Sequence, residues 1–192
     1  MLAYLEILKS TAKLECRNFS ASQLRLCLSD FSPATYTNLW EKLTPESQEK
    51  IKQELFLAIY AEADLNMKKH IADTIGEIAG SVISKEDSAW PAFKSNVWQL
   101  LQDANLNSVF GGFYILESFF SYAPDHFKDN SNDLFALFKV GLCHENGKLK
   151  LSALRCFGSY LEVLEPKKQT VFQGLVLNIY EAVLLLVEKD NE

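Results

Sequence analysis

The chain has 192 residues, 48% of them hydrophobic, which supplies enough apolar material for a folded core and leaves no segment with the composition of a disordered tail. Its 25 acidic residues outnumber 19 basic ones, for a net charge of −6, and no basic stripe is visible, which argues against direct nucleic-acid binding; the acidic excess suits basic partners, though solubility alone is the more usual reason for one. The longest apolar run, Ala182 to Val187, is far short of the ~20 residues that cross a bilayer, and Met1 leads straight into an amphipathic pattern holding Glu6, unlike a secretory signal.

Leu2, Leu5 and Leu8 predict a short first helix over residues 2–10, with a partner helix over 13–28. Residues 31–43, with Ser32-Pro33 and Trp40, read as a longer connection. Thr44-Pro45-Glu46-Ser47 is a helix start, with Thr44 as N-cap and Pro45 in the first helical position; Ile51, Leu55 and Ile59 carry that helix to about Tyr60. A further helix follows over Met67 to Ala79. Lys85-Glu86-Asp87-Ser88 is a polar turn, and Trp90-Pro91 opens a helix carrying Phe93, Val97, Leu100 and Leu101. After a turn at 103–107 the next helix spans about Ser108 to Tyr122. The polar stretch Pro124 to Asn132 reads as a loop. Leu134, Leu137, Phe138 and Leu142 define a helix ending at Cys143, and His144-Glu145-Asn146-Gly147 turns into a helix over 148–164. Glu165-Pro166 breaks the chain before a last helix, about Lys167 to Glu188, with Phe172, Leu175, Ile179, Val183 and Leu186. The total is nine helices and no strand.

The helix over 67–79 sets a template that recurs. Met67, Ile71, Ile75 and Ile78 form one apolar stripe; Ser108, Gly112, Leu116 and Phe119 stand 41 residues later, and Leu149, Ala153, Phe157 and Tyr160 a further 41. Cys16, Ser20, Leu24 and Cys27 fit it upstream after an interval of 51. A helical period near 40 indicates an all-α solenoid of stacked helix pairs, here over about 1–30, 44–84, 90–123 and 131–164, then a lone helix over 167–188. Solenoids need terminal caps with polar outer faces, and both ends lack one, so the chain is expected to be a piece of a longer protein.

Sites for chemistry are scarce. His70, His126 and His144 each stand alone without a second ligand at helical spacing, so no metal is expected, and no nucleotide-binding or hydrolase motif occurs. Gly111-Gly112 lies inside the repeat template, where close helix contact accounts for it. Cys16, Cys27, Cys143 and Cys156 occupy apolar helix slots without a CxxC, the pattern of reduced, buried thiols. Asp73 and Glu77, at i and i+4, are the sole candidate for a paired carboxylate, and a solvated helix face is the better account of them. No catalytic residue and no cofactor is expected.

Residues 14–29 (LECRNFSASQLRLCLS), 44–84 (with LTPESQEKIKQELF and NMKKHIADTIGEIAGSVIS), Trp90-Pro91 with the helix after it, and 147–165 (GKLKLSALRCFGSYLEVLE) resemble, in order, HEAT repeats of importin-β-type nuclear transport receptors (karyopherins), nearest the amino-terminal region of the importin beta-3 branch. The resemblance implies a right-handed α-solenoid of antiparallel helix pairs, a monomer shuttling between cytoplasm and nucleus through the pore. Its partners would be the Ran GTPase and basic cargo proteins on the concave row of second helices, and phenylalanine-glycine nucleoporins on the convex first helices. Helical projection makes Lys69, Asp73, Glu77, Ser118 and Arg155 candidate partner contacts. The family's basic residue after the first anchor is present as Arg17, Lys68 and Lys150 but is Val109 in the third copy; it implies a ladder with acids for which Asp64 and Glu145 are candidates. The alternative is a HEAT scaffold of another class, such as a phosphatase regulatory subunit or a vesicle-coat component.

Overall fold

The computed structural model describes residues 1–10, 13–29 and 38–190, and among them there are helices and no strand. In chain order they are α1 (Leu2–Lys9), α2 (Leu14–Leu28), α3 (Pro45–Ala61), α4 (Leu65–Ile83), α5 (Phe93–Leu101), α6 (Leu106–Phe120), α7 (Ser131–Cys143) and α8 (Gly147–Val163). A last helical element is built in three pieces: α9 (Pro166–Gln169), a 3₁₀ stretch (Thr170–Leu175) and α10 (Val176–Asp190).

Side-chain caps fix where the helices begin. Thr44 Oγ1 accepts from the Ser47 amide at 3.3 Å, with Pro45 next to it, as that tetrapeptide demands. Asp64, Asn105 and Asn146 cap α4, α6 and α8 by accepting from Met67, Asn107 and Leu149 at 2.8, 3.0 and 3.1 Å. Those caps recur every 41 residues, so the repeat is set by punctuation as well as by the apolar stripe.

The stripe itself is the core. Met67, Ile71, Ile75 and Ile78 are fully buried, as are Leu116, Phe119, Ala153 and Tyr160 in the later copies. The upstream copy is displaced: Cys16 is exposed and Cys27 half-buried, while Ala21, Leu24 and Leu28 go inside. Two leucines one turn apart gain more from burial than two cysteines, and they set the rotation of α2. Cys143 is exposed as well; Cys156 is the buried one of the four, and burial pushes its thiol well up.

Second helices lie side by side, α2 against α4, α4 against α6 and α6 against α8. Small residues permit it. A Cβ at Gly76 would stand 2.6 Å from Ser118 Cβ, and one at Gly80 2.5 Å from Tyr122 Cβ. Gly112 likewise allows a close approach to Leu101 of α5, where a Cβ would meet Cγ at 2.6 Å, so close helix contact does account for that glycine. The first helices α5 and α7 are held apart by a groove, which makes the second-helix row the tight side of the stack. Aromatic rings fill the space between rows, with Phe93 on Phe119 at 4.6 Å and Phe120 on Tyr160 at 4.4 Å.

Other expectations are refined. Trp90-Pro91 precedes α5, which starts at Phe93: Trp90 is buried against Phe56 and Phe93 at 5.9 and 5.5 Å, and Lys52 donates to the Ala89 carbonyl at 2.6 Å beside it. The stretch 124–132 is a 3₁₀ helix (Pro124–Asn130) running into α7, because Phe127 is completely buried and pins it down. Of the connection over 31–43, residues 31–37 lie outside the described residues. The six-residue apolar run at 182–187 is part of a helical stretch, 166–187, that by length and composition is long and apolar enough to cross a membrane. Its inward residues Phe172, Leu175 and Ala182 are buried, but Val176, Leu177, Tyr180, Val183, Leu184, Leu185 and Val187 are exposed.

Candidate functional site

On the second-helix row, α4 presents Lys69, Asp73 and Glu77 one turn apart, beside its buried stripe and facing the gap to α2 and α6. Neighbours close that gap from both sides. Arg25 of α2 pairs with Glu77 at 3.5 Å, and Lys69 pairs with Glu117 of α6 at 3.5 Å while its ammonium lies 5.6 Å from the Tyr114 ring centre. Ser118 Oγ donates to the Asp73 carbonyl at 3.4 Å, and Thr74 Oγ1 donates to the carbonyls of Ala21 and His70 at 3.2 and 2.8 Å. Three helices therefore meet at one patch of charge.

Three carboxylates there face two cations. Burial pushes the Asp73 carboxyl above its ordinary range, with Lys69 and Arg25 drawing it partly back and Glu117 adding to the rise. Burial likewise raises Glu77; Arg25 opposes that, Asp73 reinforces it, and hydrogen bonds from Tyr122 and Ser29 hold the charged form. The Tyr122 hydroxyl is raised by burial first and by Glu77 second. Glu117 keeps one oxygen on Lys69, but its other oxygen, Oε2, is sealed from water with no hydrogen-bond partner among the described residues. The patch sets three carboxylates against two cations, a local excess of negative charge.

Four of the five candidates, Lys69, Asp73, Glu77 and Ser118, are brought together here. Arg155 is not: it stands exposed on α8, with no ion-pair partner among the described residues. Arg25, Glu117 and Tyr122 were missed. In the 41-residue register Glu117 answers to Gly76, a core-edge position, so its charge carried no signal; the stagger of α6 along α4 turns it toward Lys69.

The basic residues behind the first anchor take the fourth position of each second helix: Arg17, Lys68 and Lys150, with Val109 in α6. Arg17 pairs with Glu62, and Lys68 donates to the Ile59 carbonyl at 2.5 Å, its ammonium lowered by burial and partly restored by Glu62. Asp64 is spent as the cap of α4, so Glu62 is the acid that meets Arg17; Glu145 is not within ion-pair distance of Lys150.

On the opposite side, α5 and α7 frame a groove of about 540 Å³ lined by Trp98, Leu101, Gln102, Ala136, Leu137 and Val140, with Asp133 at its edge. Val140 is 67% exposed there, a large apolar side chain open to a partner. No group of three or more metal-ligating side chains converges among the described residues.

Comparison with known proteins fits this architecture. Residues 63–192 match the family model described as IPO5-like, TPR repeats. The crystal structure of Kap121p bound to Nup53p superposes with a TM-score of 0.74 over 97% of this chain at 17% identity. This chain spans 17% of the length of that one, and the likeness is one of fold. No curated protein matches by sequence.

Proposed function

The chain belongs to the IPO5-like repeat family, and from that premise we propose that it is part of an importin-β-type nuclear transport receptor that takes a basic cargo segment on its second-helix row. As a member of a scaffold family it is not an enzyme. The observation that carries the cargo reading is the patch of Asp73, Glu77 and Glu117, three half-buried carboxylates with two cations between them. An incoming ammonium over the patch stabilises the charged forms of Asp73 and Glu77, which burial disfavours. Ran in its GTP state competes for the same row, each ligand weakening the other by one coupling free energy, and release follows. Phenylalanine-glycine nucleoporins dock their rings in the groove between α5 and α7, against Trp98, Leu137 and Val140. A nucleoporin partner is supported by the Kap121p complex with Nup53p. Passage between cytoplasm and nucleus through the pore follows from those partners.

The test is a titration of the chain with a fluorescent lysine-rich peptide, then with Ran loaded with a GTP analogue and with a phenylalanine-glycine peptide. Asp73→Asn with Glu117→Gln should weaken the basic peptide about fivefold, a loss on the order of 1 kcal/mol, and leave the phenylalanine-glycine peptide unchanged. Val140→Glu should do the reverse. Absence of Ran binding both to this chain and to a full-length receptor containing it would sink the reading.

A further inference from the structure

The turns inside the second, third and fourth helix pairs share one hydrogen bond. Glu62 Oε1 accepts from the Asp64 amide, Asp103 Oδ1 from the Asn105 amide and His144 Nδ1 from the Asn146 amide, each at 2.9 Å. In the last of them an imidazole stands where the first two have a carboxylate. A backbone N–H can only donate, so Nδ1 of His144 carries no proton and Nε2–H is the edge of the ring left to donate. That nitrogen has no hydrogen-bond partner among the described residues and is not sealed from water.

A second difference lies on α6. Lys68 of α4 fills the space toward α6, its Cδ 3.6 Å from where a Cβ on Gly111 would stand, and ends on the Ile59 carbonyl. One repeat on, Val109 is too short to do the same. What remains there is a pocket of about 230 Å³ where the end of α5 and α6 meet α7 and α8, walled by Leu101, Val109, Phe113, Leu137, Val140 and Leu149. His144 and Asp103 belong to its polar lining.

These features narrow what the pocket takes. An apolar space of roughly 150 Å³ holds benzene, so about 230 Å³ has room for one ring with a short substituent and is too small for a peptide segment. Asp103, its carboxyl held below the usual range by the Asn105 amide and then by the Ser108 hydroxyl, is ionised and turns an anion away. The His144 donor calls for a neutral acceptor. We infer that this pocket binds a neutral, apolar, single-ring molecule bearing one carbonyl-type acceptor, its ring against Val109, Phe113 and Leu149 and its acceptor on His144 Nε2–H. The pocket opens beside the groove between α5 and α7, sharing Leu101, Leu137 and Val140 with it, but does not rest on the reading of that groove as a nucleoporin site.

Acetophenone is the probe, set beside α-methylstyrene, which has the same shape with a methylene in place of the carbonyl oxygen. Methyl NMR of the 192-residue chain, labelled at alanine, valine and leucine, should show saturable shifts at Val109, Leu137 and Leu149 with both, in the millimolar range expected of so few atoms. His144→Asp keeps an acceptor for the Asn146 amide, as Asp103 does one repeat earlier, and removes the donor. It should weaken acetophenone about fivefold and α-methylstyrene less than about twofold. Val109→Lys installs the residue type that α4 and α8 carry at this place, and Val109→Met fills the space without a charge. Each should abolish the shifts from both probes while thermal unfolding stays cooperative. Neither should alter the titration with the phenylalanine-glycine peptide, so a failure here leaves the nucleoporin reading standing. The assignment is overturned by no saturable shifts in the parent chain, by shifts confined to Ala136 of the groove, by shifts that survive both Val109 variants, or by unchanged acetophenone binding in His144→Asp.

Discussion

The close approach of α4 and α6 can be tested at one atom. In Gly76→Ala the new Cβ would stand 2.6 Å from Ser118 Cβ, 2.7 Å from its Oγ and 3.0 Å from the Phe119 backbone nitrogen. Carbon contacts are best near ~3.5–4.0 Å, so the two helices must part by about 1 Å, and the backbone nitrogen cannot swing aside as a side chain could. Overpacking of this kind costs up to about 3 kcal/mol, while alanine in place of glycine inside a helix returns about 1 kcal/mol. The balance is a loss of about 2 kcal/mol. At a urea m-value of about 2 kcal/mol/M, the unfolding midpoint should drop by about 1 M. Gly158, inside α8, supplies the control, because a Cβ there meets nothing within 4 Å. Gly158→Ala should therefore gain about 1 kcal/mol and move the midpoint up by about 0.5 M. The two midpoints, read by far-UV circular dichroism, must move in opposite directions. If Gly76→Ala stabilised the chain as Gly158→Ala does, the tight second-helix row would be refuted.

The carboxylate patch gives a pH signature. Asp73 and Glu77 have folded-state values raised by burial above their ordinary 3.8 and 4.5, so in that window the folded chain binds more protons than the unfolded one. Stability then falls as pH rises from about 4 through the raised values, and the penalty is complete above them. Asp73→Asn with Glu77→Gln should be more stable than the parent at pH 7 and indistinguishable from it near pH 3.5; an unchanged difference across that range would contradict the burial argument. Basic-peptide affinity should also drop with acidification over the same window, since protonated carboxyls do not attract a cation. Trp90→Ala removes a side chain 2% exposed that packs edge-on against Phe56 and at a tilt against Phe93, and should cost roughly 3–5 kcal/mol in denaturant unfolding. A loss below about 1 kcal/mol would mean that the Trp90 ring is not what joins α3 to α5.

The sequence by itself determined the helices, their period and most of the buried stripe. Apolar spacing at Met67, Ile71, Ile75 and Ile78 reports directly on burial, because the helix geometry that relates those residues is local. Thr44-Pro45 could be read for the same reason: a cap involves only its own turn. Where a residue's role depended on a neighbouring helix, the reading failed or stopped short. Phe127 converts a polar loop into a 3₁₀ helix by packing on Trp98 of α5 and on Phe119 and Phe120 at the end of α6, at 6.1, 5.8 and 5.7 Å. Asp64 and Glu62 are two residues apart, and only the geometry of the α3–α4 corner shows that the first caps and the second meets Arg17. Lys69, Asp73 and Glu77 were visible as one helical face, but their electrostatics were not. Glu117 and Arg25 enter through the stagger and separation of α2, α4 and α6, which glycines at 76 and 80 set and no periodicity encodes. Periodicity fixes which side of a helix is buried; how far one helix slides along the next is settled by contacts between residues 45 to 52 positions apart, and that slide decides which charges meet.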